Sequence, residues 1–251
     1  MQARLTRWVR VLLLCAAALA YTSGKGGPRA SNAEEEVDEF LREFVAKRER
    51  LRDYSARFTQ TKRSSLFDET EVSTGMVYYL RPGKILWDYR SPDVMKVLVK
   101  HRTVSIYIEE LEQLEIYDFT QEKKMRGLFL GFDESPEELK TLYDITLVDP
   151  GRGEEGRCVQ LVPKTEELRS YFDSVRLWLR RRDFAIYKIL IIDSDPLEEG
   201  ETSITLARIT VNKGVRPDVF EIKVPEGTEI IEYRADEHGF EEKASPTDEA
   251  R

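Results

Sequence analysis

The side chains best suited to ligand chemistry lie between residues 75 and 92, GMVYYLRPGKILWDYRSP. Large apolar groups recur there at every second position, which is typical of a strand with one apolar face. They are Ile85, Trp87 and Tyr89. Pro82-Gly83 suits the centre of a tight turn, so a β-hairpin is predicted. With Arg81 at its corner, the hairpin suits an apolar cavity that has a polar latch.

Catalytic chemistry has no comparable support in the sequence. His101 and His238 are the only histidines, and GxSxG, HExxH and P-loop motifs are absent. A GxGxxG spelling at 151–156 precedes a strand pattern, whereas a dinucleotide site needs a helix there. The acidic run 193–201 is interpreted as a solvated turn in preference to a calcium loop. We therefore expect no enzyme activity, no cofactor and no metal site.

The first 24 residues have the pattern of a secretory signal peptide. Three arginines precede the apolar run Val11–Ala20, and small residues follow it. The run is too short to anchor the chain across a bilayer. Cys15 lies within it, but the leucines before this cysteine do not fit a lipid-attachment site. Cleavage near Ala20 leaves Cys158 as the single cysteine, which we expect to be a small core residue.

The charge balance points away from anionic partners. The 251-residue chain has a formal net charge of −8, and loss of residues 1–20, which hold three arginines and no acid, leaves −11. This balance argues against nucleic acid and against adhesion to anionic lipid. Apolar residues make up 41% and charged residues 34% of the chain, as in ordinary soluble proteins. An exported, soluble monomer is predicted.

The elements that must position the hairpin begin with a helix. Residues 25–33 are predicted to be a linker, and residues 34–52 an amphipathic helix with apolar side chains at i, i+3, i+4 spacing. We expect its Phe40 and Phe44 to close one side of a cavity. Strand-like runs follow with short turns between them, which predicts an antiparallel meander. They span 54–63, 70–80, 84–90, 94–100, 103–109 and 114–119.

Residues 121–142 interrupt the strand pattern. Four apolar side chains there have helical spacing, and a second short helix is predicted to begin at Ser135-Pro136. The four are Met125, Leu128, Phe129 and Phe132. The two helices are interpreted either as core plugs or as a movable lid. Further strands are predicted at 144–148, 157–163, 175–180, 184–192, 202–212 and 219–224. The polar tail 236–251 is predicted to be disordered.

Four segments, in this order, resemble the LolA family of periplasmic outer-membrane lipoprotein carriers. They are YSARFTQ at 54–60, the hairpin 75–92, LVPK at 161–164, and 202–212 followed by VFEIKVPEG at 219–227. The resemblance covers about residues 34–231, and one domain is predicted to span residues 34–235. It departs from the family at 101–102 and 108–110, where the turns around the fifth strand are rebuilt.

The resemblance implies an α+β fold, mainly antiparallel β, in which an incomplete, half-open β-barrel carries a helical lid over a hydrophobic cavity. Cavity residues implied in this way are Phe40, Phe44, Phe58, Tyr79, Ile85, Trp87, Tyr89 and Ile106. Met125, Leu128, Phe129 and Phe132 would form the lid. Arg81 would hold the lid closed, although an exposed charge at the hairpin corner remains the alternative.

The implied function is a soluble periplasmic chaperone that moves lipoproteins from the inner to the outer membrane. Its implied partners are acylated lipoproteins, an inner-membrane lipoprotein-releasing ABC transporter and an outer-membrane lipoprotein receptor. Two alternatives on the same fold are a general lipid-binding protein and an RseB-like regulatory sensor. The sensor is disfavoured because RseB carries a second domain. A LolB-like receptor would need a lipidated N-terminal cysteine, which the context of Cys15 argues against.

Overall fold

The computed structural model describes residues 28–64, 69–100, 102–118, 136–193, 200–236 and 239–242. Its α-helices are α1 (Pro28–Glu49), α2 (Pro136–Leu142) and α3 (Glu166–Arg169), and a 3-10 helix spans Pro217–Phe220. The first strands are β1 (Asp53–Ser64), β2 (Glu69–Leu80), β3 (Lys84–Ser91), β4 (Met95–Lys100), β5 (Thr103–Ile108) and β6 (Gln113–Asp118). The others are β7 (Tyr143–Val148), β8 (Arg157–Pro163), β9 (Ser174–Leu179), β10 (Ile186–Ile192), β11 (Gly200–Val211), β12 (Glu229–Asp236) and β13 (Gly239–Glu242).

The strands form one open sheet with the order β13-β12-β6-β5-β4-β3-β2-β1-β11-β10-β9-β8-β7. All pairs are antiparallel except β6 with β12, which run parallel. The end strands β13 and β7 are not paired with each other in the described residues. The predicted fold class, an α+β protein with a half-open, mainly antiparallel sheet, is therefore confirmed.

Two meanders meet in the middle of this sheet. Strands β1 to β6 form the first and β7 to β11 the second, and the long strands β1 and β11 join them. Buried side chains of both meanders and of α1 make one continuous core on one side of the sheet. We call that side the inner face; it carries Phe58, Trp87 and Ile191.

Helix α1 begins at Pro28, so the predicted linker at 25–33 is wrong from that residue onward. Proline suits the first helical turn, and the residues after it contain no helix breaker. The helix ends at Glu49, three residues before its predicted end, with Lys47 and Arg48 in its last turn. Such cations are favourable beside the exposed carbonyl groups of a helix end. No helix in the described ranges is long and apolar enough to cross a membrane.

The segment after β11 also differs from its prediction. The strand expected at 219–224 is absent, and the 3-10 helix at Pro217–Phe220 stands in its place. Phe220 is buried on the outer face against Leu86 and Leu98. Strand β13 lies inside the predicted disordered tail, which is therefore wrong for residues 239–242. Backbone pairing alone can hold such polar segments at a sheet edge, because it does not depend on side-chain polarity.

Candidate functional site

The strand register places all six sheet residues of the predicted cavity on the inner face. Tyr79 pairs with Ile85, and Trp87 lies two pairs further along, opposite Val77. Directly paired residues share a face of the sheet. None of the six is more than 6% exposed: Phe58, Tyr79, Ile85, Trp87, Tyr89 and Ile106. Their role in lining a cavity stays a prediction.

An aromatic cluster of Phe58, Trp87 and Tyr89 lies at the centre of this face. The Phe58 ring meets Trp87 edge-on at 5.1 Å and Tyr89 at 4.7 Å between ring centroids. Phe58 also pairs with Gly75 across β1 and β2. A Cβ at Gly75 would lie 2.7 Å and 2.8 Å from two carbons of the Phe58 ring. Glycine therefore makes room for the ring, which lies over the backbone of β2.

A buried hydrogen bond fixes the third ring of the cluster. The hydroxyl of Tyr89 donates to Oε1 of Gln60 at 2.9 Å, and both residues are buried. Nothing in the sequence indicated a role for Gln60 beyond its place in the YSARFTQ motif. A buried hydroxyl needs such a partner, so the bond also orients the Tyr89 ring.

The two helix phenylalanines contact a third aromatic ring, which was not among the predicted cavity residues. Phe184, in the β9–β10 turn, lies 5.7 Å from Phe40 and 6.4 Å from Phe44 between centroids. The guanidinium of Arg157 lies 5.2 Å from the Phe184 ring and pairs with Glu43 at 2.6 Å. These contacts hold α1 against the second meander, whereas the aromatic cluster lies on the first. The predicted cavity residues thus fall into two groups within one core.

An ion pair holds the turn that presents Phe184. Arg180 donates to Asp183 through Nε at 3.0 Å and through Nη2 at 2.7 Å. Burial alone would raise the pKa of Asp183, but the backbone N–H of Ala185 and the Arg180 guanidinium hold that pKa below its usual value. Phe184 has a φ of 55°, a conformation that favours glycine. The ion pair therefore stabilises a backbone conformation that phenylalanine alone disfavours.

Arg81 joins the hairpin to the end of α1. Its Nη1 donates to the backbone carbonyls of Glu49 at 2.9 Å and Arg48 at 3.4 Å. The residue is exposed, as the alternative interpretation expected, and it also holds two helix-end carbonyls. The predicted lid residues, Met125, Leu128, Phe129 and Phe132, lie outside the described residues. The latch between Arg81 and a lid stays a prediction.

The inner face also holds a buried carboxylate that was not predicted from the sequence. Glu115 of β6 is 2% exposed and pairs directly with Ile106. Its Oε2 accepts a hydrogen bond from the Tyr117 hydroxyl at 2.7 Å. Burial raises the pKa of Glu115 above its ordinary value, and the hydrogen bond from Tyr117 opposes that rise. The alternation of residues in QLEIYD indicates on which face of the sheet Glu115 lies, but it does not indicate that Glu115 is buried.

Cys158 is a core residue, as predicted. Its side chain is buried in β8, and burial raises the pKa of its thiol to about 11. Two surface clefts, of about 650 and 290 Å³, lie elsewhere and have none of the predicted cavity residues in their linings.

The open sheet, the helix α1 on its inner face and the aromatic cluster define a half-open barrel protein with an apolar interior. Comparison with known proteins specifies the family. The profile described as "Outer membrane lipoprotein carrier protein LolA" matches residues 49–223. The chain belongs to the LolA family, as its sequence motifs indicated.

Two relatives found by sequence, both named as lipoprotein carriers, agree with this assignment. An outer-membrane lipoprotein carrier protein of Azotobacter vinelandii is 25% identical over 227 residues, which cover 90% of this chain and 99% of the relative. A protein of the same name from Pseudomonas syringae pv. tomato is 26% identical over 185 residues, 73% of this chain and 84% of the relative. The crystal structure of an uncharacterized conserved protein from Thermus thermophilus aligns with a TM-score of 0.48 at 15% identity, over 76% of this chain and 98% of that one.

Proposed function

We propose that this chain is a periplasmic carrier that shields the acyl chains of lipoproteins on its inner face and moves them from the inner to the outer membrane. The observation that carries the proposal is the aromatic cluster of Phe58, Trp87 and Tyr89, buried on the inner face of a LolA-family sheet. The relatives named as lipoprotein carriers support it. In this function the chain acts as a binding protein and not as an enzyme.

The energetics of acyl binding suit a carrier. Each buried CH₂ group contributes about 0.8 kcal/mol, so one chain can be captured without any charged contact. In this structure the rings of the aromatic cluster contact one another, so a ligand must separate them before it enters. The loss of those ring contacts opposes binding and keeps it reversible. A carrier needs that balance because it must release its cargo.

Arg81 has a defined place in this proposal. Its bonds to the end of α1 hold the hairpin and the helix together on the side where strands β2 and β3 meet. We propose that this connection, together with the lid predicted at 125–132, keeps the inner face closed until cargo arrives. An inner-membrane lipoprotein-releasing transporter and an outer-membrane receptor would supply and accept that cargo.

Mass spectrometry of organic extracts tests the proposal directly. The mature protein is purified from its native periplasm in three forms: unchanged, Arg81→Leu and Arg57→Leu. Arg57 is the matched control, because it is also an exposed arginine of the first meander but lies in the middle of β1. Co-purified acylated lipoprotein, enriched in Arg81→Leu and unchanged in Arg57→Leu, is the expected result.

Other outcomes separate the alternatives. Free lipid without lipoprotein would favour a lipid shuttle on the same fold. No bound acyl group in any of the three folded proteins would refute the carrier and favour an RseB-like sensor. Equal enrichment in both arginine variants would remove the specific role of Arg81.

A further inference from the structure

We propose that Glu115 binds an N–H donor at the head of an acylated ligand. The inference rests on the proposed function, because it assigns the headgroup contact within the same acyl-binding face. Amide and ammonium groups next to an acyl chain share this chemistry. The position of Glu115, its burial and its incomplete hydrogen bonding support the proposal.

The carboxylate lies in line with the aromatic cluster. Glu115 pairs with Ile106 of β5, which pairs with Val97 of β4, and Val97 pairs with Trp87 of β3. These four side chains form one row across the inner face, since directly paired residues share a face. Adjacent strands are about 4.8 Å apart, so Glu115 and Trp87 are separated by about 14 Å along the row. An acyl chain that starts at Glu115 can run along this row to the cluster.

The hydrogen bonding of Glu115 is incomplete. A carboxylate offers about four acceptor positions. In the described part of the chain, its donors are the Tyr117 hydroxyl at 2.7 Å and, at a long 3.4 Å, the Gln113 amide. No described lysine or arginine forms a salt bridge with it. A buried carboxylate with only neutral donors is unfavourable, and a further donor from a ligand would offset that penalty.

The residues around Glu115 favour a neutral or positively charged headgroup over a negatively charged one. Burial and the neighbouring Glu115 raise the pKa of Tyr117, so its hydroxyl keeps its proton and donates to the carboxylate. The Tyr117 ring stacks on Tyr233 of β12, with 4.8 Å between centroids. Phosphate or carboxylate headgroups would be repelled by Glu115. An amide N–H can donate a hydrogen bond to the carboxylate, and an ammonium group is stabilised further by the faces of the aromatic rings.

A pair of lipids that differ in one group tests the inference. N-palmitoylethanolamine has an amide N–H where 2-hydroxyethyl palmitate has an ester oxygen, and the two are otherwise alike. Their affinities are measured by quenching of intrinsic tryptophan fluorescence, with hexadecylammonium as a third probe. The unchanged protein is expected to bind the amide about tenfold more tightly than the ester, the scale of one hydrogen bond to a charged group.

Three variants locate the effect. Glu115→Leu is expected to abolish the preference for the amide. Glu115→Gln keeps the shape and packing of the side chain but removes its charge, and is expected to reduce the preference below about threefold. Tyr117→Phe is expected to keep the preference, because it removes a competing donor and leaves the carboxylate. Thr202→Val is the matched control: it changes a fully buried polar side chain of β11, in the other half of the sheet.

The outcomes distinguish this inference from the proposed function. Equal binding of the amide and the ester by the unchanged protein overturns the role of Glu115 but leaves the carrier intact. Binding of neither lipid overturns the carrier itself. A preference that survives in both Glu115 variants, or disappears in Thr202→Val, also overturns the inference. If the preference holds, tighter binding of hexadecylammonium than of the amide identifies an ammonium headgroup, and weaker binding identifies an amide.

Discussion

Replacement of Gly75 by alanine should disrupt the centre of the inner face. A Cβ at this position would lie 2.1 Å from the carbonyl oxygen of Asp88, in addition to its close approach to the Phe58 ring. The distances to the carbonyl oxygen and to the ring are all far shorter than the ordinary contact distance of roughly 3.5 Å. The ring can shift, but the carbonyl belongs to the backbone of β3 and cannot shift without disturbing its pairing with β2.

The expected loss follows from these two contacts. Overpacking typically costs about 1–3 kcal/mol, and the backbone contact places Gly75→Ala near 3 kcal/mol. Phe58→Ala alone should cost about 3–5 kcal/mol through the space that it leaves. The double variant should lose less than the sum of the single losses, by about 1 kcal/mol, because the ring contact has gone. The contact with the Asp88 carbonyl remains, so the relief is incomplete.

Urea denaturation followed by tryptophan fluorescence measures these free energies of unfolding. Ser73→Ala is the control, since Ser73 is buried two residues away in the same strand. Its loss should stay within about 1 kcal/mol, the scale of one hydrogen bond. A Gly75→Ala protein within about 0.5 kcal/mol of the unchanged chain would refute the reasoning, because overpacking against a backbone atom costs more than that. If the losses of Gly75→Ala and Phe58→Ala simply add in the double variant, the expected clash with the Phe58 ring is refuted, but the clash with the Asp88 carbonyl is not.

Three further predictions concern titratable side chains. Asp183→Ala should lower the free energy of unfolding by about 2 kcal/mol at neutral pH. Because the pKa of Asp183 is lowered in the folded state, this loss should shrink as the pH falls through that pKa. A loss that did not depend on pH would contradict the prediction. Cys158, whose thiol pKa is about 11, should resist alkylation at about pH 8 until the protein is denatured, as mass spectrometry after iodoacetamide treatment can verify. For Glu115 the folded-state pKa is raised, so the ionised carboxylate opposes folding above it. The stability of Glu115→Gln relative to the unchanged chain should therefore increase as the pH rises. Urea denaturation from about pH 4 to pH 8 measures the two free energies of unfolding, and a constant difference between them would disprove the prediction.

Local periodicity predicted the first meander well. Alternation in 54–118 placed six strands within one or two residues of their observed ends, because each strand has one buried and one less buried face. It failed for β12, where none of residues 229–234 is buried. Strand β12 is held by parallel pairing with β6, more than a hundred residues earlier in the chain. Pairing over such a distance leaves no local signal in the sequence.

The aromatic residues of the site were predictable for the same reason, and their polar partners were not. Trp87 and Tyr89 stand out by type and spacing, whereas Gln60 and Asp183 are common residues whose roles depend on what the fold brings near them. Phe184 adds a different case: its apolar run was predicted as a strand, but the residue lies in a turn at positive φ. Local pattern thus identifies which side chains are apolar, and only the assembled sheet identifies which polar side chains orient them.

The division of the core into two groups has a consequence for how the inner face can open. Helix α1 is held to the second meander by Phe184 and by the Glu43–Arg157 ion pair, but to the hairpin by the two exposed hydrogen bonds of Arg81. Exposed polar contacts contribute little to stability because water competes for them, whereas the aromatic contacts are buried. Separation between α1 and the hairpin therefore costs less than separation between α1 and the second meander. A ligand that enters beside Arg81 would reach Trp87 and Phe58 without displacing the helix from its stronger side.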